Sequence, residues 1–279
     1  MPLVTLKDVL TPALANGHAV AGLVVLGWED ARAYAMAAQA EGVPVILQAG
    51  PGCRAHTPLP VLAAMFRTLA HDMDTPVVAH LDHGYTFEEC REAIDAGFTS
   101  VMYDGSRKAL SQNIEKTAAI VEMARKAGVS VEGEVGFVGY ADGGEVAGEA
   151  SARSDPDEVA QFVTQTGVDA VAVSVGNEHL QQSASAEIDR AAIAAIEAKT
   201  NVPLVIHGGS GVPAEVRQAL ARDTAVCKFN IGTELRMAFG KALRQSLADQ
   251  PNVFDRNALL KPTEKVLMEA ARPILRGLA

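Results

Sequence analysis

The sequence predicts an α/β chain that folds as a single (β/α)8 TIM barrel, one domain over residues 1–279, with an additional C-terminal helix. Three observations favour this fold: the length, the aliphatic composition and a regular alternation of strand and helix patterns. The 279 residues suit one barrel of ~250 residues. Hydrophobic residues make up 48% of the chain and aromatic residues 5%, as expected for a parallel sheet covered by helices.

Eight short runs of β-branched or aliphatic residues recur along the chain, and each is followed by a helical pattern. The predicted strands are 19–26, 43–48, 76–81, 100–103, 130–134, 170–175, 202–206 and 225–230. The intervening segments place apolar residues three or four positions apart, as in Ile114, Ala118 and Val121. Eight alternating units without a linker favour a closed barrel over an open sheet. The stretch 261–277 predicts the extra helix.

Local signals mark where several helices begin and end. Gly97, Gly128 and Gly167 follow helical patterns, where glycine is the preferred residue after a helix C-terminus. Thr86 with Glu89 forms a predicted capping box at a helix start.

Composition narrows the class of partner and the compartment. A formal charge of -10 without a Lys/Arg block argues against nucleic acid, although a local positive pocket for an anionic metabolite is compatible with it. No apolar run approaches the ~20 residues that span a bilayer, so no membrane partner is expected. Three cysteines without a Cys-x-x-Cys pair predict a reducing, cytoplasmic setting, with Cys53 buried as a small apolar residue.

Three histidines end predicted strands. His83 closes the run His80-Leu81-Asp82-His83, and His179 and His207 follow the later aliphatic runs 170–175 and 202–206. Barrel active sites lie at the C-terminal ends of the strands, and three histidine ligands with an open position form a catalytic zinc site. We therefore expect these three side chains to converge. The remaining histidines are expected to be surface or structural residues: His18, His56 and His71.

Other polar residues also lie at the C-terminal ends of predicted strands. They are Gln48, Asp82, Asp104, Glu134 and Asn230. Asp82 and His83 are adjacent, and adjacent side chains of a strand point to opposite sides. Both can reach one site only if the chain turns there, and Gly84 is predicted to supply that turn. His80 is open to two interpretations, a partner of a metal ligand or a packed core residue.

Two glycine-containing loops predict a phosphate site. Gly208, Gly209 and Ser210 follow the seventh strand, where barrels often bind phosphate through exposed N–H groups. Asn230 and Thr233 end the eighth strand and begin a helix. Thr233 as a plain N-cap is the competing interpretation.

The glycine-rich stretch 139–153 is open to two further interpretations, a mobile lid carrying Glu145 and Glu149 or a solvated loop.

With these motifs in order, the chain resembles the class II, metal-dependent ketose-bisphosphate aldolases, which include fructose- and tagatose-bisphosphate aldolases. The resemblance covers nearly the whole length. It is clearest in 46–48, 80–83, 98–106, 131–136, 207–211 and 230–235.

The resemblance implies a role for each predicted site residue. His83, His179 and His207 would bind one catalytic Zn2+, with Glu134 and Asp104 beside it and room for a second divalent or monovalent cation. Asp82 would be the acid/base at the C4 oxygen.

For the substrate, the resemblance implies a phosphorylated sugar cleaved to dihydroxyacetone phosphate and an aldehyde. Ser210 and Thr233, with Gly208, Gly209 and Gln48, would bind the substrate and its phosphate, and Asn230 would contact the enediolate. Glu145 or Glu149 would move the C3 proton. Barrels of this family assemble as homodimers or homotetramers.

The chain departs from the family pattern outside the metal and enediolate residues. Glu178-His179-Leu180 replaces the usual Ala-His-Gly, Gly50 replaces a serine, and Arg256 is shifted by one position from the arginine that reaches a second phosphate. These changes favour a one-phosphate ketose or another carbonyl donor. The alternatives are an aldolase or lyase with a non-dihydroxyacetone-phosphate donor and a silent metabolite-binding homologue. Asp82 argues against the latter, because binding alone does not require that carboxylate.

Overall fold

The computed structural model describes residues 3–141 and 151–279. Eight parallel strands follow one another around a closed barrel, and β8 pairs with β1. The strands are β1 Val20–Val24, β2 Val45–Ala49, β3 Val77–Gly84, β4 Ser100–Tyr103, β5 Ser130–Val135, β6 Ala170–Val173, β7 Leu204–Ile206 and β8 Val226–Ile231. The predicted (β/α)8 fold is confirmed, with every predicted strand present to within a few residues.

Helices cover the outside of the barrel. They are α1 Leu6–Asn16, α2 Trp28–Glu41, α3 Pro51–His56, α4 Leu59–His71, α5 Phe87–Ala96, α6 Leu110–Ala127, α7 Pro156–Thr166, α8 Arg190–Glu197, α9 Ala214–Asp223, α10 Thr233–Asp249 and α11 Arg256–Leu278. The extra C-terminal helix is confirmed as α11, although it begins at Arg256 rather than at 261. The short helices α1 and α3 were not predicted.

The predicted helix ends agree with the structure. Gly97, Gly128 and Gly167 each follow a helix in the left-handed conformation. The Thr86 hydroxyl accepts from Glu89 N, and the Glu89 carboxylate accepts from Thr86 N, which completes the capping box of α5. In the described part of the chain, no helix is both long and apolar enough to cross a bilayer.

Helix α1 covers the N-terminal end of the barrel. Leu6, Val9, Leu10 and Ala13 of this helix are buried, and they share one apolar cluster with inward-facing strand residues. Those strand residues are Val20, Ile46, Val78, Ala170, Ala172, Val205 and Cys227. This end of the barrel is therefore a closed hydrophobic core.

Farther along the same strands the inward-facing residues become polar. They include Gln48, His80, Asp82, Glu132, Glu134, Lys228 and Asn230, all at most 6% exposed. Because inward positions alternate along each strand, Asp82 and Asn230 stand one step above His80 and Lys228. The interior of the barrel is therefore polar near the C-terminal ends of its strands.

Candidate active site

His83, His179 and His207 converge as predicted. Their ring centroids lie 4.7 to 5.6 Å apart, and one nitrogen of each falls within 4.8 Å of the others. His83 Nε2 lies 3.1 Å from His207 Nδ1. Two nitrogens on a tetrahedral zinc ion with ~2.0–2.1 Å bonds lie about 3.3 Å apart, so this pair already has the spacing of two ligands on one ion.

A bulge in β3 directs both Asp82 and His83 into the site. The strand continues to Gly84, its register with β4 shifts between Leu81 and Gly84, and His83 has a φ of 52°. The predicted turn at Gly84 was therefore wrong, because the left-handed residue is His83. Gly84 is required for a different reason: a Cβ there would lie 2.9 Å from the Met102 carbonyl oxygen.

His179 does not end a strand, contrary to the prediction. Strand β6 stops at Val173, and His179 lies in the loop beyond it. A backbone pairing with the loop after β5 holds it in place, since His179 N donates to Gly139 O at 2.8 Å and Ala141 N donates to His179 O at 2.9 Å. The Tyr140 ring stacks on the imidazole with centroids 4.9 Å apart. The aliphatic pattern alone does not reveal this loop-to-loop support.

Carboxylates orient two of the three imidazoles. Asp104 Oδ2 lies 2.9 Å from His83 Nδ1, and Asp104 Oδ1 accepts from the Ser106 hydroxyl and N–H. Glu132 Oε1 lies 3.1 Å from His207 Nε2. With a metal ion bound, each of these two rings would carry its proton on the nitrogen that faces the carboxylate. The other nitrogen of each ring would then face the centre of the cluster, as in carboxylate–histidine–zinc arrangements.

His207 contacts a buried network of Glu132, Lys228 and His80 that the sequence analysis did not predict. Lys228 Nζ lies 2.6 Å from Glu132 Oε2 and 3.3 Å from His80 Nε2. His80 Nδ1 lies 2.8 Å from Ser100 Oγ. His80 is thus a buried polar residue that connects to a metal-ligand candidate only through its neighbours. The sequence does contain a signal for this network. Glu132 precedes Glu134 by two residues and Lys228 precedes Asn230 by two, so each pair lies on one face of its strand.

The titratable groups of the cluster have strongly perturbed pKa values. Burial lowers the pKa of His83, but the Asp82 charge and the Asp104 hydrogen bond outweigh it and raise that pKa to about 10. Burial and then the charge of His83 hold the pKa values of His179 and His207 well below the usual range. Divergent pKa values among neighbouring groups are typical of functional sites.

Glu134 provides a test of whether the residues fit a cation. It is 1% exposed, its Oε2 has no hydrogen-bond partner and lies 3.7 Å from His207 Nδ1. Burial and then the charge of Asp104 raise its pKa well above the usual value. His83, Asp104 and Glu134 form a second group whose ligand atoms lie within 4.8 Å of one another. An unpaired buried carboxylate oxygen beside three imidazoles fits a divalent metal ion.

Asp82, Asn230 and Gln48 lie side by side at the mouth of the barrel. Asn230 Nδ2 donates to Asp82 Oδ1 at 3.2 Å, which leaves Asn230 Oδ1 without a partner. Neither polar atom of the Gln48 amide has a partner, although the side chain is fully buried. Gly22 leaves the space for this amide, since a Cβ there would lie 2.0 Å from Gln48 Oε1. Unpaired buried polar atoms mark where a ligand or water is expected.

The two glycine-containing loops meet at the start of α10. Ser210 Oγ accepts from Gly232 N and from Glu234 N, both at 3.3 Å. Gly232 is the N-cap residue and Thr233 the first helical residue, so the interpretation of Thr233 as an N-cap was wrong. The Ser210 hydroxyl from the neighbouring loop satisfies the helix N-terminus instead.

Close packing also requires a glycine at position 208. Its φ is 63°, and a Cβ there would lie 2.0 Å from the Glu178 carbonyl oxygen. The loop after β7 thus packs directly against the backbone of the His179 loop. A side chain at Gly208 would separate the phosphate candidates from the histidine cluster.

A cavity of about 650 Å³ opens at this end of the barrel. The predicted residues that line it are Asp82, His83, His179, Gly208, Ser210, Asn230 and Thr233. The other predicted site residues in the described part of the chain are buried or half-buried: Gln48, Asp104, Glu134, His207 and Gly209. Arg236, which sequence reasoning missed, is the one Lys or Arg lining the cavity in the described part of the chain. Glu145 and Glu149 lie outside the described residues.

Known proteins match the chain over its full length. The family model described as fructose-bisphosphate aldolase class-II matches residues 4–278. The fructose-bisphosphate aldolase of Staphylococcus epidermidis is 37% identical over 280 residues, which span 99% of this chain and 97% of that protein. That of Geobacillus stearothermophilus is 38% identical over 266 residues, or 94% and 92% of the two chains.

A solved structure agrees with the sequence matches. The YdjI aldolase from Escherichia coli K12 has a TM-score of 0.85 and 27% identity, covering 99% of this chain and 97% of that one. The matched regions include every strand that carries a site residue. The resemblance read from the motifs is therefore confirmed, and the chain belongs to the class-II fructose-bisphosphate aldolase family, whose members are carbon–carbon lyases.

Proposed function

We propose that the protein is a zinc-dependent aldolase that reversibly cleaves a phosphorylated ketose to dihydroxyacetone phosphate and an aldehyde. Class-II family membership implies a divalent metal. The observation that carries the proposal is the histidine cluster of His83, His179 and His207 within reach of the Asp82 carboxylate, since His83 Nε2 lies 3.9 Å from Asp82 Oδ1.

The three histidines would hold one zinc ion, and Glu134 would stand beside it as an alternative ligand. Asp104 reaches His83 Nδ1 and would orient that ligand, while it is also near enough to serve a second cation. When bound, the metal supplies an electron sink that polarises the ketone and stabilises the negative charge formed as the C3–C4 bond breaks.

Asp82 would exchange a proton with the C4 oxygen. Its carboxylate is 6% exposed and lines the cavity. The Asn230 amide holds one carboxylate oxygen and keeps its own Oδ1 free, which would accept a hydrogen bond from a substrate hydroxyl. Lys228 is an unsuitable Schiff-base nucleophile, because it is fully buried and its ammonium group is paired with Glu132.

The phosphate would bind where the loops after β7 and β8 meet. Ser210 and Thr233 line the cavity there, and the positive end of the helix dipole at the start of α10 favours an anion. Arg236 Nη2 lies 3.5 Å from Thr233 Oγ1, so its guanidinium would add a positive charge beside the bound phosphate. Gly208 and Gly209 would allow a close approach of the backbone, and Gln48 would contact the substrate from below.

Several finer statements complete the proposal. On the family resemblance, Glu145 or Glu149 would move the C3 proton and the protein would form a homodimer or homotetramer. On its length the chain would form one domain, and on its cysteine content it would act in the cytoplasm. A one-phosphate ketose remains our preferred substrate, because the substrate-recognition segments differ from the family pattern while the metal-site residues are kept.

A panel experiment tests the proposal. Bound zinc is measured in the purified protein, and release of dihydroxyacetone phosphate is followed from ketose mono- and bisphosphates, with and without a chelator. Cleavage that needs both the metal and Asp82 supports the proposal and identifies the substrate. Bound zinc without cleavage of any panel member would favour a different donor or a binding role, and a protein that takes up no zinc would contradict the histidine site.

A further inference from the structure

The β3 bulge leaves two backbone carbonyl groups without strand partners. The pairing of β3 with β2 ends at Ala49 and Leu81, and the pairing with β4 skips from Leu81 to Gly84. Asp82 and His83 lie in that gap. Buried carbonyl groups need hydrogen-bond donors, and His83 also has a left-handed backbone conformation, which is strained for a residue with a Cβ. Something outside the sheet must therefore hold this bulge.

Arg54 of the short helix α3 supplies the missing donors. Its Nη1 donates to Asp82 O at 2.6 Å and to Ala49 O at 2.9 Å, and its Nη2 donates to His83 O at 3.0 Å. The side chain is only 9% exposed. One guanidinium thus joins the ends of β2 and β3 at the residues whose side chains enter the site.

A second contact aligns the guanidinium. Glu89 Oε1 lies 3.6 Å from Arg54 Nη2, and Glu89 itself is fixed by its capping bonds to Tyr85 N and Thr86 N. The planar, five-donor fork of arginine can reach three separate acceptors at once, whereas the single nitrogen of lysine cannot span them.

We propose that Arg54 is a positioning residue that holds the β3 bulge and thereby aims Asp82 at the substrate and His83 at the metal. In this role it would touch neither substrate nor metal and would act through the backbone carbonyl groups of Ala49, Asp82 and His83. The inference rests on the proposed function for the roles of Asp82 and His83.

The test compares Arg54→Lys and Arg54→Met with wild type and with Arg222→Met, an exposed arginine that pairs with its sequence neighbour Asp223. Zinc affinity is measured by competition with a chromophoric chelator, and kcat and KM are measured on the zinc-loaded proteins. Loss of such outer support typically costs about 10–100-fold in metal affinity or activity. We expect losses of that size in zinc affinity and kcat for Arg54→Met, and a smaller loss for Arg54→Lys.

Methylguanidinium added to Arg54→Ala provides a readout that a purely structural role would not move. Partial recovery of zinc affinity and kcat supports the inference. Variants that lose thermal stability but keep wild-type zinc affinity and kcat per folded molecule overturn it, and if the methionine variant does not fold, Arg54→Lys decides by the same criterion. A wild-type protein that binds no zinc would instead overturn the proposed function itself.

Discussion

The two ends of one barrel carry opposite chemistry on the same strands. At the N-terminal end, inward-facing Val20, Ile46 and Val78 pack against Leu10 of α1 in a closed apolar cluster. Two or more positions farther along, the same faces carry His80, Asp82 and Asn230, with several polar atoms left unpaired. The two ends of the strands therefore differ in kind: one end is a buried apolar cluster, and the other contains unpaired buried polar groups of the kind that bind a ligand.

The largest effect expected at the polar end is the loss of catalysis in Asp82→Asn. General acid–base catalysis contributes ~10²–10⁴-fold, so kcat should fall by that order. Zinc content should not change, because the histidines are untouched. Steady-state kinetics and metal analysis measure the two quantities, with exposed Asp95→Asn as the control. Cleavage at the wild-type rate would remove Asp82 from the proposed mechanism.

Lys228→Met tests the buried charge layer that lies between the two ends. Removing one member of a buried ion pair costs about 3–5 kcal/mol, because the remaining charge is uncompensated. The free energy of unfolding, measured by denaturant titration, should fall by that amount. Combining it with Glu132→Gln should recover part of the loss. Additive losses in the double variant would mean that the two groups are not coupled.

Leu10→Ala tests the apolar end. Leu10 is 1% exposed, and truncating a buried leucine typically costs ~2–5 kcal/mol in the free energy of unfolding. Zinc affinity and kcat of the folded protein should match wild type, since α1 covers the end opposite the site. Exposed Leu247→Ala on α10 is the matched control and should change stability little. A fall in zinc affinity would show that the two ends are not independent.

The smallest effect is expected from the ion pairs of Glu41 with Arg272 and Arg276, which join α2 to α11 and belong to neither end of the barrel. Arg276 and then Arg272 lower the pKa of Glu41 to about 2, and the unfolded value is near ~4.3. This stabilisation is present above the unfolded pKa and is lost as the pH falls through that value toward 2. The Tm of Glu41→Gln should therefore be slightly below wild type at pH 7, and the gap should narrow below about pH 4. Thermal unfolding across this pH range, with exposed Glu115→Gln as the control, measures it; a constant gap would argue against the ion pairs.

The prediction of the fold succeeded because its signals are local. Strand and helix periods, helix-ending glycines and the Thr86 capping box depend on residues close in sequence. Helix α1 was missed because its function is to cover the barrel end, and that burial appears only once the strands have closed.

The prediction of the site was less complete, for a related reason. His83 and His207 follow from the rule that functional groups lie at strand ends. His179 was assigned to a strand end but is held by the loop carrying Tyr140, a pairing between distant segments. Glu132 and Lys228 were missed although the two-residue strand period places them on the faces of Glu134 and Asn230. Arg54 was missed because it acts through backbone carbonyl groups that the sequence does not place beside it.

The sequence by itself determined the eight-unit barrel, the end at which the proposed site lies and the kinds of side chain found there. These properties follow from periodicity and from the common direction of parallel strands. Only the tertiary structure decided how Asp82 and His83 reach one site, through a bulge with a left-handed histidine. It also decided which carboxylate faces which imidazole, because a hydrogen bond depends on angstrom distances between segments far apart in the chain.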